Sequence, residues 1–167
     1  GIGYSCFSER TGYGSTAFAA RKMKVVPGFD ISEVRMDVSG TVSATTGTMN
    51  HGQSHETTMA QIVADRLRVQ VEQVKIVQGD TDRITYGFGS FASRSITIGG
   101  SAVSVAADKL GRKLCEIAAH LLETRSDNVE LAPGRVRQID DHSKFVSYRE
   151  IADVAYLRAQ LLPKGVD

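Results

Sequence analysis

Two short stretches of this 167-residue chain concentrate the side chains best able to hold a ligand. The first is Gly47-Thr48-Met49-Asn50-His51-Gly52-Gln53-Ser54-His55-Glu56-Thr57-Thr58, placed where a strand is expected to end and a helix to begin. A helix N-terminus presents unpaired N–H groups and roughly half a positive charge, so it draws anions. Gly52 lets a ligand approach the backbone closely, and Gln53, Ser54, His55 and Thr57 offer donors and acceptors within one turn. The second is Gly87-Phe88-Gly89-Ser90-Phe91-Ala92-Ser93-Arg94, which opens a longer helix and carries Ser90, Ser93 and Arg94 as donors. It matches G-x-G-x-x-A, and Asp108 follows at about the twenty-residue distance of a ribose-binding acid. Its context is wrong for a dinucleotide fold, in which the glycines follow the strand directly and the acid ends a second strand. What remains is a second Gly-rich segment feeding a helix N-terminus. Two such ends in one small domain suit a ligand with more than one phosphate or polar anchor. The alternative is a pair of ordinary polar caps whose glycines serve only tight packing.

Other chemistries find less support. His51 and His55 stand four apart with Glu56 adjacent, but Glu56 fits neither order of the zinc-protease motifs and no third ligand follows nearby. No G-x-S-x-G elbow is present, and neither His120 nor His142 has a context that pairs it with a serine. His120 belongs on a helix surface, and Asp140-Asp141 beside His142 reads as a solvated loop. A net charge of +1, no Trp and only Phe88 and Phe91 as a stacking pair argue against a nucleic-acid binder. Cys6 and Cys115 match no metal spacing and read as free thiols, each expected to be a buried small apolar residue.

The elements that position these residues follow from periodicity. Residues 2–7 and 17–26 look extended. Val34, Met36 and Val38 alternate with charged residues, and Ser39-Gly40 turns the chain into 41–45, which predicts a hairpin. Four strands thus precede the first helix, which is expected after Asn50 with Asn50 and Gln53 as a capping box. Met59, Ile62, Val63 and Leu67 form its apolar face. Val74 and Ile76 mark a fifth strand, and 79–92 is the longest loop. A helix over about 94–124 buries Val103, Ala106, Ala107, Leu110, Leu114, Ile117, Ala118 and Leu121, with Gly99-Gly100 near its start allowing close approach of another segment. Pro133-Gly134 turns between strands near 129–131 and 135–138, and the capping box Ser147-x-x-Glu150 opens a last helix carrying Ile151, Val154 and Ala155. The length fits one domain over 1–167. The fold class is α+β: two layers, a mixed or antiparallel sheet with helices packed on one face. Apolar residues at 41% exclude disorder, and no apolar run is long enough to span a membrane. The opening Gly1-Ile2-Gly3-Tyr4 starts as if already inside a strand and shows no export signal, so a piece of a longer cytoplasmic protein is expected.

Gly52-Gln53-Ser54-His55-Glu56-Thr57-Thr58-Met59-Ala60-Gln61-Ile62, Gly79-Asp80-Thr81-Asp82 and 86–95 together resemble the molybdenum hydroxylase family of xanthine dehydrogenases and aldehyde oxidases. Within it the likeness is greatest to the large, molybdenum-binding subunit of carbon monoxide dehydrogenase-type enzymes. Gly1-Ile2-Gly3, Glu9, Gly12 and 99–103 also fit, so the likeness covers nearly the whole chain. The resemblance implies a molybdopterin cofactor, as the cytosine dinucleotide in most bacterial members, that oxidises a carbon centre of a small molecule with water as oxygen source. Electrons then leave through iron–sulfur and flavin subunits or domains. It also implies that Gly52, Gln53, Ser54, His55 and Thr57, with Gly89, Ser90, Phe91, Ala92, Ser93 and Arg94, contact the cofactor. Ser54 departs from the glycine usual in the family, which leaves a non-catalytic domain that keeps the fold without the cofactor as the alternative. The copper-bridging role of a family cysteine does not transfer to Cys6, whose flanks match a different strand. The family's catalytic glutamate and substrate loops have no counterpart in 1–167, so the isolated chain is expected to be inactive.

Overall fold

The computed structural model describes residues 1–8, 10–12, 14–23 and 28–166. Helix α1 (Ser15–Ala20) is followed by strands β1 (Val34–Met36) and β2 (Val42–Thr45), helix α2 (His55–Leu67) and β3 (Val74–Val77). A π-helical turn at Ser95–Gly99 runs into α3 (Gly100–Leu121), after which come β4 (Val129–Ala132), β5 (Arg135–Gln138), β6 (Phe145–Ser147) and α4 (Tyr148–Leu157).

β1 and β2 pair antiparallel, with Met36 opposite Val42. The connection is one residue longer than the two-residue turn expected from Ser39-Gly40. Asp37 accepts from the N–H groups of Ser39 and Thr41 at 2.8 and 3.1 Å, and Gly40 takes the left-handed conformation (φ +87°) that closes such a loop. β3 pairs with β2 in parallel, so the chain must cross over between them, and α2 is that crossover. The β2 pattern shows which face is inward: Val42 and Ala44 are buried while Ser43 and Thr45 are only half-buried.

Where one sheet was expected, the described residues form two, β1-β2-β3 and an antiparallel β4-β5-β6, which share no hydrogen-bonded strand between them. α3 joins them. Its buried face of Val103, Ala107, Leu114, Ile117 and Ala118 belongs to one core with Met36, Val42, Met59, Val63 and Leu67 on one side and Val129, Val136, Val146 and Ile151 on the other. The two-layer α+β class therefore holds, with the sheet divided in two. Pro133-Gly134 is the β4–β5 turn, with Gly134 at φ +68°. The capping box of α4 forms as its spacing dictates: Ser147 Oγ accepts from Glu150 N–H, and the Glu150 carboxylate accepts from Ser147 N–H at 2.8 Å. The Ser147 hydroxyl and its N–H hold the Glu150 carboxyl below the usual carboxylate range.

The N-terminal expectations fail. Residues 1–8 are exposed and belong to no strand, and 15–20 form α1, so among the described residues two strands precede α2. Phe18 accounts for α1: it is the buried residue of that turn and meets the Phe91 ring at 6.4 Å. Positions 24–27, the end of the second expected strand, and Glu9 lie outside the described residues. Cys6 is exposed, not buried, in a stretch 1–8 that is exposed throughout. Cys115 is half-buried on α3, where burial pushes its thiol up to about 11 and keeps it protonated at neutral pH. Tyr148 donates its buried hydroxyl to Leu67 O at 2.6 Å, tying the start of α4 to the end of α2, and burial raises its phenol. Among the described residues no helix is long and apolar enough to cross a membrane.

Candidate functional site

The two Gly-rich stretches, forty residues apart in sequence, meet backbone to backbone. Gly89 N–H donates to Gly47 O at 3.1 Å, and a Cβ on Gly47 would lie 2.6 Å from Gly87 Cα. Ser90 closes the junction: its hydroxyl donates to Met49 O at 2.6 Å and accepts from Met49 N–H at 3.1 Å and from Ser95 Oγ at 2.9 Å. A hydroxyl has one proton and two lone pairs, so Ser90 is saturated by protein partners.

Beside this junction lies a cleft of about 580 Å³, within the size range of small-molecule sites. His51, Gln53, His55 and Thr58 line one wall, Ser90, Phe91, Ser93, Ser95, Ile96 and Thr97 the other, and Thr11 reaches it from the N-terminal segment. Of the residues nominated from sequence, Gln53, His55, Ser90, Phe91 and Ser93 line the cleft. Gly52, Ser54, Thr57, Gly89 and Ala92 do not line it, although each adjoins a residue that does. Thr11, His51, Thr58, Ser95, Ile96 and Thr97 were not nominated. His51 and Thr58 lie inside the first Gly-rich stretch and Ser95 one residue past the second, whereas no local signal marks Thr11. It is placed by Gly12, whose missing Cβ makes room for the Thr97 side chain.

Arg94 has another task. Its side chain is buried, with one Nη on the Asp30 carboxylate at 3.0 Å and on Gly89 O at 2.9 Å, and the other on Phe29 O at 2.8 Å. It ties 29–30 to the glycine turn from behind and does not face the cleft.

The wall on the α2 side is built by a local departure from the expected cap. Asn50 Oδ1 accepts from the N–H groups of Gly52 and Gln53, both at 3.0 Å, which makes a turn and not a helix start. The helix begins only at His55, after Ser54, and no side chain caps it. Its first amides are therefore left for solvent or a ligand. His55 is 7% exposed and its Nδ1 has no hydrogen-bond partner among the described residues. A buried polar atom without a partner is costly, and at the edge of a cleft it marks a place for one. Among the described residues no aspartate, glutamate, lysine or arginine lines this cleft, and its polar groups are hydroxyls, an amide, imidazoles and a helix N-terminus. His51, His55 and Glu56 do not assemble a metal centre, and no group of three such ligands occurs among the described residues.

Three non-glycine residues beside the cleft hold left-handed backbone: Ser54 at φ +59°, Ala92 at +48° and Ser93 at +53°. Such strain gathers at ligand sites, where the surroundings hold it in place. The side chain of Ser54 is exposed and outside the cleft, so its hydroxyl fills none of the space a ligand would need. The conformation is one glycine adopts freely. Ser54→Gly is therefore expected to raise stability by about 0.5–1 kcal/mol in urea unfolding, the relief of left-handed strain less the added chain entropy. A lower midpoint for the variant would contradict this reading of the backbone.

A family model described as "Molybdopterin cofactor-binding domain" matches residues 1–166. The chain is a molybdopterin cofactor-binding domain. It is 37% identical over 170 residues to the carbon monoxide dehydrogenase large chain of Hydrogenophaga pseudoflava, covering 100% of this chain and 20% of that one. It is 32% identical over 167 residues to the nicotine 6-hydroxylase large subunit of Paenarthrobacter nicotinovorans, again covering 100% and 20%. Among solved structures it is similar to quinoline 2-oxidoreductase from Pseudomonas putida 86, with a TM-score of 0.85 and 34% identity over 95% of this chain and 20% of that one. This cofactor-binding domain thus spans about a fifth of the length of the curated relatives it matches. The donor set described above suits the group the family is named for: an orphaned imidazole nitrogen, hydroxyls on facing walls and the uncapped start of a helix.

Proposed function

We propose that residues 1–167 form one domain of a longer, cytoplasmic large subunit and that the cleft between 51–58 and 90–97 clamps molybdopterin, as the cytosine dinucleotide. When bound, the group supplies the redox chemistry by which a carbon centre is oxidised with water as oxygen source. This chain's own part is positional. Gln53, His55 and Ser93 would meet polar cofactor atoms directly, and the uncapped α2 amides would draw a phosphate. Phe91 would exclude water from that contact. Thr57 would contribute its backbone N–H among those amides, and Gly52, Ser54, Gly89, Ser90, Ala92 and Arg94 would shape the two walls. The substrate pocket and the catalytic base are assigned to other parts of the subunit, and electron transfer to iron–sulfur and flavin partners.

One observation carries this reading: two segments chosen for the same electrostatic property form facing walls of a single cleft. The alternative of a cofactor-free structural domain rested on Ser54, whose side chain stands clear of the cleft. The full-length subunit carrying Gln53→Ala and Ser93→Ala tests the assignment. Molybdenum by elemental analysis and released cytosine nucleotide are both expected to fall at least tenfold. Wild-type occupancy in the double variant would reject it.

A further inference from the structure

Gln53 and His51 are locked to each other in a way that decides which ring nitrogen of His51 carries the proton. Backbone N–H of His51 donates to Gln53 Oε1 at 2.8 Å. An N–H can be accepted only by the amide oxygen, so the orientation of the Gln53 amide is fixed by this bond and is not a free choice between oxygen and nitrogen. The amide nitrogen then stands 2.6 Å from His51 Nδ1. An amide NH₂ is a donor only, so Nδ1 must be the acceptor and the neutral ring must hold its proton on Nε2. Among the described residues Nε2 has no partner, and His51 lines the cleft.

We propose that His51 is a ligand-binding residue of this cleft, held by Gln53 in the Nε2–H form and offering that proton to a phosphate oxygen of the bound group. The proposal rests on the cleft being the cofactor site and adds a residue and a role to it. A phosphate is the chemical class favoured because the described surroundings are donors. The first amides of α2 are uncapped, the lining hydroxyls can donate, and no acidic side chain among the described residues lines the space. The orphaned Nδ1 of buried His55, on the same wall, is an independent sign that the site lacks a partner the protein itself does not provide. Gln53 thereby acts as a positioning residue for His51 as well as a wall residue.

The test has two readouts, neither of which is catalytic activity. In ¹⁵N-histidine-labelled full chain without cofactor, long-range ¹H–¹⁵N spectra should assign His51 to the Nε2–H tautomer. Gln53→Glu, which offers Nδ1 only acceptors, should move the proton to Nδ1. In the same protein, titration with inorganic pyrophosphate should perturb His51, and His51→Phe should weaken that binding at least fivefold. Circular dichroism should show that the fold is kept, and His51→Gln, which retains a donor, should recover part of the loss. An Nδ1–H tautomer in the wild type, or unchanged pyrophosphate affinity in His51→Phe, would overturn the proposal. The cofactor reading itself fails differently, by wild-type molybdenum and nucleotide content in the full-length Gln53→Ala, Ser93→Ala subunit.

Discussion

Arg94→Ala is expected to cost about 3–5 kcal/mol of stability, the range seen when one partner of a buried ion pair is removed. The Arg94 and Asp30 side chains are 2% and 0% exposed and 3.0 Å apart, so the deletion strands a carboxylate in the interior. It also strips donors from Phe29 O and Gly89 O. Both effects fall on the back of the cleft, and cofactor occupancy of the full-length subunit should drop with stability. Asp30→Asn paired with Arg94→Ala separates the causes. If the orphaned charge dominates, the double variant will be more stable than Arg94→Ala alone, since no charge is then left unpaired. Equilibrium urea unfolding reads this directly, and a loss under about 1 kcal/mol for Arg94→Ala would show that the staple does not bear on the fold.

Gly47→Ala should be nearly as damaging for a different reason. A methyl group there would meet the Asp30 carboxylate, Gly87 Cα at 2.6 Å and Tyr86 O at 2.7 Å. Two of those three neighbours are backbone, which cannot swing aside as a side-chain tip can. Overpacking ordinarily costs about 1–3 kcal/mol, and the upper end is expected here because relief requires parting the 47–49 and 87–90 segments. Gly87→Ala should behave alike, its methyl falling 2.5 Å from Gly47 O. Gly40→Ala is the fitting control, since nothing stands near its missing Cβ and only the hairpin turn is strained. Cofactor content of the full-length subunit should collapse in the first two variants and survive in the third.

Local signals account for what was legible in the sequence. The β1–β2 hairpin, the apolar face of α2, β3, the β4–β5 turn at Pro133-Gly134 and the α4 capping box all rest on residues within a few positions of one another. Those elements stand where the pattern put them, apart from one residue in the hairpin loop. α3 was legible from Val103, Ala107, Leu114 and Ile117, but its start was not: the π-helical turn has no signature beyond Gly99, which packs on Thr48. Residues 15–20 read as extended because Thr16 and Phe18 beside a Gly-rich connection outweighed the helix preference of Ala17, Ala19 and Ala20. The contact of Phe18 with Phe91, seventy-three residues away, lies beyond local signals. Asn50 failed as a cap for the opposite reason. Its side chain found nearer amides at Gly52 and Gln53 and made a turn first, which delayed the helix to His55.

The candidate site was legible only in part. Gln53, His55, Ser90, Phe91 and Ser93, picked out by Gly-rich turns at helix starts, line the cleft. Arg94 lies outside the cleft: a guanidinium beside such a turn reads as a ligand donor, and only the fold brings in Asp30, sixty-four positions upstream, to hold it. Thr11 and Thr97 reach the cleft through tertiary contact alone.

The surplus residue in the Ser95–Gly99 turn has a consequence for how this region can vary in length. A π turn is an α-helix with one residue inserted, so the rotation of everything beyond it is unchanged. Shortening 95–99 by a single residue would leave Val103, Ala107 and Leu114 in phase with their partners while drawing Ile96 and Thr97 away from the space they border. Genetic drift in that turn can therefore retune the mouth of the binding site without disturbing the interior behind it.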